Sequence, residues 1–118
     1  MSHSVISRHW KGIAKREFAD RYVDHLRRET FAELALLPGF IRATVLRREL
    51  AAGTEFQVVT VWDSLSSIEA FAGVEVEAAV VPSDVQAMMV QYDHTVAHYE
   101  IVSIFPLNEQ SQPAWQNT

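Results

Sequence analysis

The chain of 118 residues contains no cysteine. This absence excludes disulfide bonds, thiolate metal sites and a thiol nucleophile, and it fits a reducing compartment such as the cytoplasm. The sequence also lacks an apolar run near the roughly 18 residues of a membrane span, and its N-terminus lacks an apolar stretch of signal-peptide length. We therefore expect a soluble, cytoplasmic protein that does not act at a membrane.

An excess of basic residues is also missing. The formal net charge is −5 and the isoelectric point is near 5.4, whereas phosphate contacts require a surplus of lysine and arginine on one face. Acidic residues flank each short basic group, so we expect no nucleic-acid partner. The length fits one domain, which can remove roughly two-thirds of its unfolded surface from water.

A change of hydrophobic period marks residues 55–73. The alternation that begins at Glu55 is typical of a strand, and it gives way at Trp62 to a period near 3.6, which is typical of a helix. Asp63 or Ser64 can cap that helix, and Gly73 can end it. Trp62 lies where the strand meets the helix, so we expect it in the wall of any pocket.

Periodicity predicts the remaining elements on either side of this stretch. Polar, aperiodic residues 106–118 are interpreted as a C-terminal tail that follows a domain over residues 1–105. The predicted elements are a strand over 5–11, an amphipathic helix over 15–37 that can break near Thr30, a strand over 40–50, a hairpin loop over 51–54, a short helix after Pro82 with Val85, Met88, Met89 and Tyr92 on one face, and a last strand over 96–105.

This β-α-β-β-α-β order is that of a ferredoxin-like α+β fold, in which an antiparallel sheet with strand order 4-1-3-2 carries both helices on one face. The other face is then uncovered, yet the strands carry large apolar residues in both alternating sets. Packing this face against the same face of a second copy would bury them. We therefore expect a homodimer with an isologous interface.

Three short motifs, by their order and spacing, resemble the antibiotic-biosynthesis-monooxygenase superfamily of dimeric α+β barrels. They are Pro38-Gly39-Phe40, Thr60-Val61-Trp62-Asp63-Ser64 and His98-Tyr99-Glu100. The resemblance covers about residues 3–105. It implies small homodimers, some of which oxidise aromatic polyketides or degrade haem without a bound flavin or metal, while many have no known activity.

The resemblance covers the site residues of the relatives only in part, and it does not favour haem ligation. Trp62 matches by position a tryptophan that relatives place beside the substrate, although a core residue between helix and sheet explains it equally well. The asparagine and histidine of the haem-degrading relatives do not carry over, since the matching stretches are Ser7–Trp10 and the Ala-Ala-Val-Val of residues 78–81. No two histidines have metal-ligand spacing on one helix, so we expect no metal or other cofactor. We interpret His25 as a surface residue.

Arg8 and His98 are the candidate catalytic residues. In the strand order 4-1-3-2, Arg8 on the first strand can face both Glu100 and the Thr60–Trp62 end of the third strand. A charge at the centre of a sheet is costly to bury unless it is paired or serves a ligand. An ion pair between Arg8 and Glu100 is one interpretation. In the other, Arg8 holds a substrate oxygen and His98 moves a proton near neutral pH.

Trp62, Phe71, Met88 and Tyr92 are the candidate substrate-binding residues, which could line an adaptable pocket for a planar molecule. Helical spacing also fits a plain core for the last three. Two functions follow. The first is a cofactor-independent monooxygenase or oxidase of a small phenolic or quinoid substrate, bound between sheet and helices. The second is a non-catalytic homodimer that binds a small molecule or takes part in a stress response.

Overall fold

The elements follow the predicted order, with one additional strand. A computed structural model describes residues 4–106; apart from Pro106, the predicted tail lies outside the described residues. The elements are β1 (Ile6–Ala14), a 3-10 turn (Arg16–Phe18), α1 (Ala19–His25), a π-helical turn (Leu26–Thr30), α2 (Phe31–Leu34), β2 (Phe40–Leu50), β3 (Gly53–Trp62), α3 (Leu65–Ala72), α4 (Ser83–Met88), β4 (Met89–Tyr92) and β5 (Ala97–Glu100).

Strand β1 lies at the centre of one antiparallel sheet with the order β2-β3-β1-β4, and β5 also pairs with β1. Its register with β3 runs from Ile6 opposite Trp62 to Ala14 opposite Thr54. Side chains of one sheet face, including Ala14 and Phe56, pack against the helices. The predicted ferredoxin-like α+β fold and its strand order are confirmed.

The last strand and the helix before it differ from the prediction. Met89 and Tyr92 were expected on a helix, but α4 ends at Met88 and the next four residues form β4. β4 pairs with the end of β1 near Gly12, whereas β5 pairs with its beginning near Ile6. The free edge of β1 offers unpaired backbone groups, and satisfying them outweighs the helical spacing of a few apolar side chains. The strand predicted over 96–105 is therefore shorter. Its predicted position beside β1 is shared by β4 and β5.

The long first helix changes its winding where the sequence predicted a break. The π-helical turn lies between α1 and α2, and the helical segment ends at Leu34 ahead of Pro38 and Gly39. Gly39 has a φ of 89°, which favours glycine. At the start of α3 the Ser64 hydroxyl accepts a hydrogen bond from the Ser67 amide at 3.2 Å, as the predicted N-cap requires. Within residues 4–106, none of the helices has the length and apolar character needed to cross a membrane.

Two clusters of buried side chains fill the space between the sheet and the helices. One contains Tyr22, Phe56 and Met88 under α1 and α4. The other joins Leu34 and Trp62 to the helix α3. The two clusters meet around the cavity described next, and residues of both clusters line its wall.

Candidate active site between sheet and helices

A cavity of about 80 Å³ lies between the helix-facing side of the sheet and the helices. Most of its wall is apolar, and its polar groups come from the sheet and from the first helical segment. Residues that line it include Arg8, Thr60, Phe71, His25, Phe31 and Val85. A pocket with an apolar wall and a few convergent polar groups is the usual form of a small-molecule site.

Arg8 is the charged group that the sheet contributes to this cavity. Its side chain is buried, with 5% of the residue exposed. One terminal nitrogen, Nη1, donates to the carbonyl of Val76 at 2.6 Å, and the other, Nη2, donates to the carbonyl of Ala78 at 3.0 Å. Arg8 therefore ties the irregular segment of residues 73–82, between α3 and α4, to the N-terminal part of β1.

The expected ion pair between Arg8 and Glu100 is wrong. The register of β1 and β5 places His98 opposite Arg8 and Glu100 opposite Ile6. The Glu100 carboxylate instead accepts a hydrogen bond from the hydroxyl of Ser4. Backbone carbonyls take the place that the sequence assigned to a carboxylate, because strand register decides which side chains meet and the sequence leaves it open.

His98 lies beside Arg8, and it is not among the residues that line the cavity. Its Nε2 atom is 3.0 Å from Arg8 Nη1. A guanidinium only donates hydrogen bonds, so Nε2 is the acceptor and Nδ1 carries the proton of the neutral ring. Desolvation by burial, followed by the positive charge of Arg8, lowers the pKa of His98 below its ordinary value. His98 is thus a neutral acceptor that Arg8 already occupies.

Burial also changes the pKa of Arg8, because desolvation lowers it to about 10. The group stays charged at neutral pH, and the charge sits in an apolar wall where it acts strongly on any bound anion. The Phe71 ring covers one side, with 5.7 Å between its centre and the guanidinium carbon.

Trp62 lies one layer behind the cavity wall, which differs from the expectation that it lines the pocket. It is fully buried, and its indole N–H donates to the Thr60 hydroxyl at 2.9 Å. Phe71 stacks on its ring with 5.8 Å between ring centres, and Phe40 contacts it edge-on. Since Thr60 and Phe71 do line the cavity, Trp62 can shape the site through these two neighbours.

The other candidate binding residues divide between cavity and core. Phe71 lines the cavity together with Arg8. Met88 is buried under α4 in the core cluster, and Tyr92 lies on β4 beside Trp10, with 6.5 Å between ring centres. Neither is among the cavity-lining residues. The structure therefore brings together Arg8, His98 and Phe71, and it places Met88 and Tyr92 elsewhere.

His25 lines the cavity, which was not predicted from the sequence. The interpretation of His25 as a surface residue is wrong, since 8% of it is exposed and it lines the cavity. A signal was available, because His25 follows Tyr22 by three residues and therefore shares its buried helical face. Thr30 and Phe31 also line the cavity, and they lie where the π-helical turn meets α2.

The fold and the cavity define a small ferredoxin-like α+β protein with a buried cation in the wall of a mainly apolar pocket. The chain belongs to the antibiotic biosynthesis monooxygenase family, whose family model matches residues 12–77, more than half of the chain. None of the curated proteins matches the sequence at a significant level.

Solved structures share the fold at low sequence identity. A protein from Bacillus cereus is 19% identical with a TM-score of 0.60, covering 86% of this chain and 96% of its own. A variant of SnoaB, a cofactor-independent oxygenase from Streptomyces nogalater, is 18% identical with a TM-score of 0.61, covering 87% and 98%. A heme-degrading protein from Mycobacterium tuberculosis is 16% identical with a TM-score of 0.53, covering 88% and 97%. At these identities the likeness shows the fold alone.

Proposed function

We propose that the protein is a cofactor-independent monooxygenase or oxidase that acts on a small phenolic or quinoid substrate in the cavity. The observation that carries this proposal is the buried guanidinium of Arg8 in a mainly apolar wall. A fixed positive charge in such surroundings favours the anionic form of a bound phenol or enol. Membership in the monooxygenase family supports this type of chemistry, and the substrate class is our own inference.

The chemistry demands little of the protein because the substrate anion supplies the electrons that reduce O2. For an anthrone the net change is CH2 + O2 → C=O + H2O. The protein has to desolvate the substrate, orient it and take up its proton. Arg8 would hold the substrate oxygen on which negative charge develops, with Phe71 against the aromatic face.

We propose that the substrate proton passes to His98, which contacts Arg8. If a substrate oxygen replaces His98 as the acceptor for Arg8 Nη1, the lone pair on Nε2 becomes free. His98 can then act as the base, because its lowered pKa keeps it neutral near pH 7. Substrate binding and the release of the base would be the same event.

The cavity is smaller than the proposed aromatic substrates require. Its volume is about 80 Å³, whereas an apolar cavity of about 150 Å³ is known to accept benzene. A naphthol or an anthrone therefore needs the wall to move outward. Residues 73–82 are the candidate, because they have little regular structure and are held to the sheet by Arg8 through Val76 and Ala78.

Oxygen uptake with a panel of hydroxynaphthalenes and anthrones tests the assigned site. We expect consumption by the wild type, and a loss of about 100-fold in Arg8→Ala from the removal of one charge-stabilising donor. Trp62→Ala should reduce the rate less, since Trp62 acts through Phe71 and Thr60. Arg47→Ala is the matched control, because Arg47 is an exposed arginine of β2 that pairs with Asp20 on the surface. Unchanged activity in both Arg8→Ala and Trp62→Ala would reject the site.

One observation favours a non-catalytic alternative, in which the protein only binds a small molecule. Both terminal nitrogens of Arg8 already have acceptors on Val76, Ala78 and His98. These hydrogen bonds alone can account for the buried charge. In that case Arg8 acts as a clamp that stabilises the fold and has no part in catalysis. A rise in melting temperature with an aromatic ligand, without oxygen uptake, would support this second function.

We also propose that two copies pair through the sheet face that the helices leave open. Leu46 on β2 and Tyr99 on β5 point to this side, and they are 51% and 58% exposed. The His9 ring contacts Tyr99 edge-on at 4.8 Å, which gives the face an aromatic patch. Large exposed apolar groups on a sheet often mark an interface, and a self-complementary face would form an isologous dimer.

A further inference from the structure

A second group of polar side chains lies at the cavity, on the helical side. His25 ends α1, Glu29 lies in the π-helical turn, and Asp84 lies in the first turn of α4. One donor atom from each falls within 4.8 Å of the other two. We propose that these three residues bind a divalent transition-metal ion, with Zn²⁺ as the best chemical fit.

The two separations from His25 Nδ1 fit metal coordination better than hydrogen bonding. His25 Nδ1 is 3.4 Å from Glu29 Oε2 and 3.6 Å from Asp84 Oδ2. Charge-assisted hydrogen bonds between such groups are about 2.7–2.9 Å long. Ligands about 2.0–2.2 Å from a tetrahedral Zn²⁺ lie about 3.3–3.6 Å from one another. Both distances therefore match edges of a coordination tetrahedron.

Burial gives this site a fixed ligand and an open approach. The His25 side chain is only 7% exposed, while those of Glu29 and Asp84 are 67% and 58% exposed. The packed imidazole holds its Nδ1 atom towards two carboxylates that a hydrated ion can reach from solvent. One imidazole with two carboxylates suits Zn²⁺ and its neighbours, whereas Mg²⁺ and Ca²⁺ prefer oxygen ligands throughout.

The local backbone orients both carboxylates. Glu29 is four residues after His25, which places the two side chains on one helical face, and π-helical turns are frequent at functional sites. The Asp84 carboxylate accepts a hydrogen bond from the Val85 amide through Oδ1 at 3.0 Å. That bond leaves Oδ2 facing His25, as an outer hydrogen bond does for a metal ligand.

A bound ion would join the first helical segment to α4 across the cavity. His25, Thr30 and Val85 all line the cavity, so the ion would fix the relative position of two of its walls. Three protein ligands also leave one position open, which is the pattern of catalytic rather than structural zinc sites. The proposal rests on residues other than Arg8 and His98, and it is independent of the proposed oxidation.

Titration of the metal-free full-length protein with Co²⁺ and Zn²⁺ tests the site. We expect one Co²⁺ per chain with the visible absorption of a low-symmetry site, and a rise in melting temperature with Zn²⁺. Glu29→Gln and Asp84→Asn are exposed and nearly isosteric, so each should keep the fold and weaken binding at least about tenfold. His25→Ala should abolish binding. The controls are His94→Ala and Glu33→Gln, which remove an exposed histidine and an exposed carboxylate outside the cluster.

Three results would overturn this proposal. The first is a wild-type protein that binds neither ion at submillimolar concentration. The second is wild-type affinity in the double variant Glu29→Gln/Asp84→Asn, and the third is a loss of binding in His94→Ala, since either would place the ion elsewhere. Circular dichroism of each variant separates a lost ligand from a lost fold.

Discussion

The guanidinium of Arg8 hydrogen bonds two backbone carbonyls and one histidine at the wall of an apolar cavity. The sequence identified Arg8 as a buried charge, because a cation at the centre of a sheet needs a reason. It did not identify the partners, since the register that sets His98 opposite Arg8 depends on the whole sheet. Trp62 is a similar case. The sequence predicted its position at the end of a strand, but it did not predict which aromatic ring stacks on it.

Replacing Arg8 with lysine separates its charge from its geometry. A lysine keeps the positive charge but cannot reach both carbonyls in the planar fork of a guanidinium. We expect Arg8→Lys to lower the free energy of unfolding by about 1.5–3 kcal/mol, the range for lost hydrogen bonds to a charged group. Urea unfolding measures this, and Arg47→Lys on the surface should change it by less than about 0.5 kcal/mol. Equal effects of the two substitutions would contradict the clamp.

The lowered pKa of His98 predicts a pH dependence of stability. The unfolded chain takes up this proton near the ordinary value of 6.5, whereas the folded protein takes it up only at lower pH. Stability should therefore fall as the pH drops below 6.5, until the pH passes the lowered pKa of the folded state. Urea unfolding between neutral pH and mild acid measures the slope. His98→Gln keeps an acceptor for Arg8 and should show a shallower slope, and equal slopes would contradict the assignment.

At the scale of elements, the sequence predicted the features that depend on a few neighbouring residues. The change of period at Trp62 and the cap at Ser64 lie within a few residues, and the structure contains both. Strand β4 was missed because Met89 and Tyr92 fit a helical face equally well, and the free edge of β1 decided between the two structures. The His25 cluster was missed because Asp84 comes from a distant part of the chain, whose position depends on the packing of α4.

The N-cap of α3 gives an element-scale test. The Ser64 hydroxyl accepts from the Ser67 amide, so Ser64→Ala should lower the free energy of unfolding by about 1 kcal/mol. Ser66→Ala is the matched control, since Ser66 is an exposed serine of the same first turn. Chemical denaturation measures both, and an effect of Ser66→Ala as large as that of Ser64→Ala would argue against the cap.

At the scale of the whole molecule, one face of the sheet is covered by helices and the other is open. The sequence predicted this asymmetry from the order of the elements alone, since the β-α-β-β-α-β arrangement places both helices on the same face of the sheet. It also indicated that the open face would be partly apolar, and the exposure of Leu46 and Tyr99 agrees with that. Pairing of two copies through this open face is our proposal.

Sedimentation tests that proposal directly. We expect a dimer at micromolar concentration, and Leu46→Glu should dissociate it because a symmetric interface would bring together two copies of each new charge. Leu36→Glu is the control, since Leu36 is 83% exposed in the turn after α2, away from the sheet face. A stable wild-type monomer at micromolar concentration would reject the interface.

In the proposed reaction, the Arg8 cavity promotes the reaction of an anionic aromatic substrate with O2. The most direct measurement is the initial rate of anthrone-dependent O2 consumption by flavin-free, chelator-treated protein, compared between wild type, Arg8→Lys and Arg47→Lys. We predict one O2 consumed per anthrone, an unchanged rate in Arg47→Lys, and a rate lowered about tenfold or more in Arg8→Lys because the fork is lost. A rate in Arg8→Lys equal to that of the wild type, or no consumption above the buffer rate, would contradict the proposed role of Arg8.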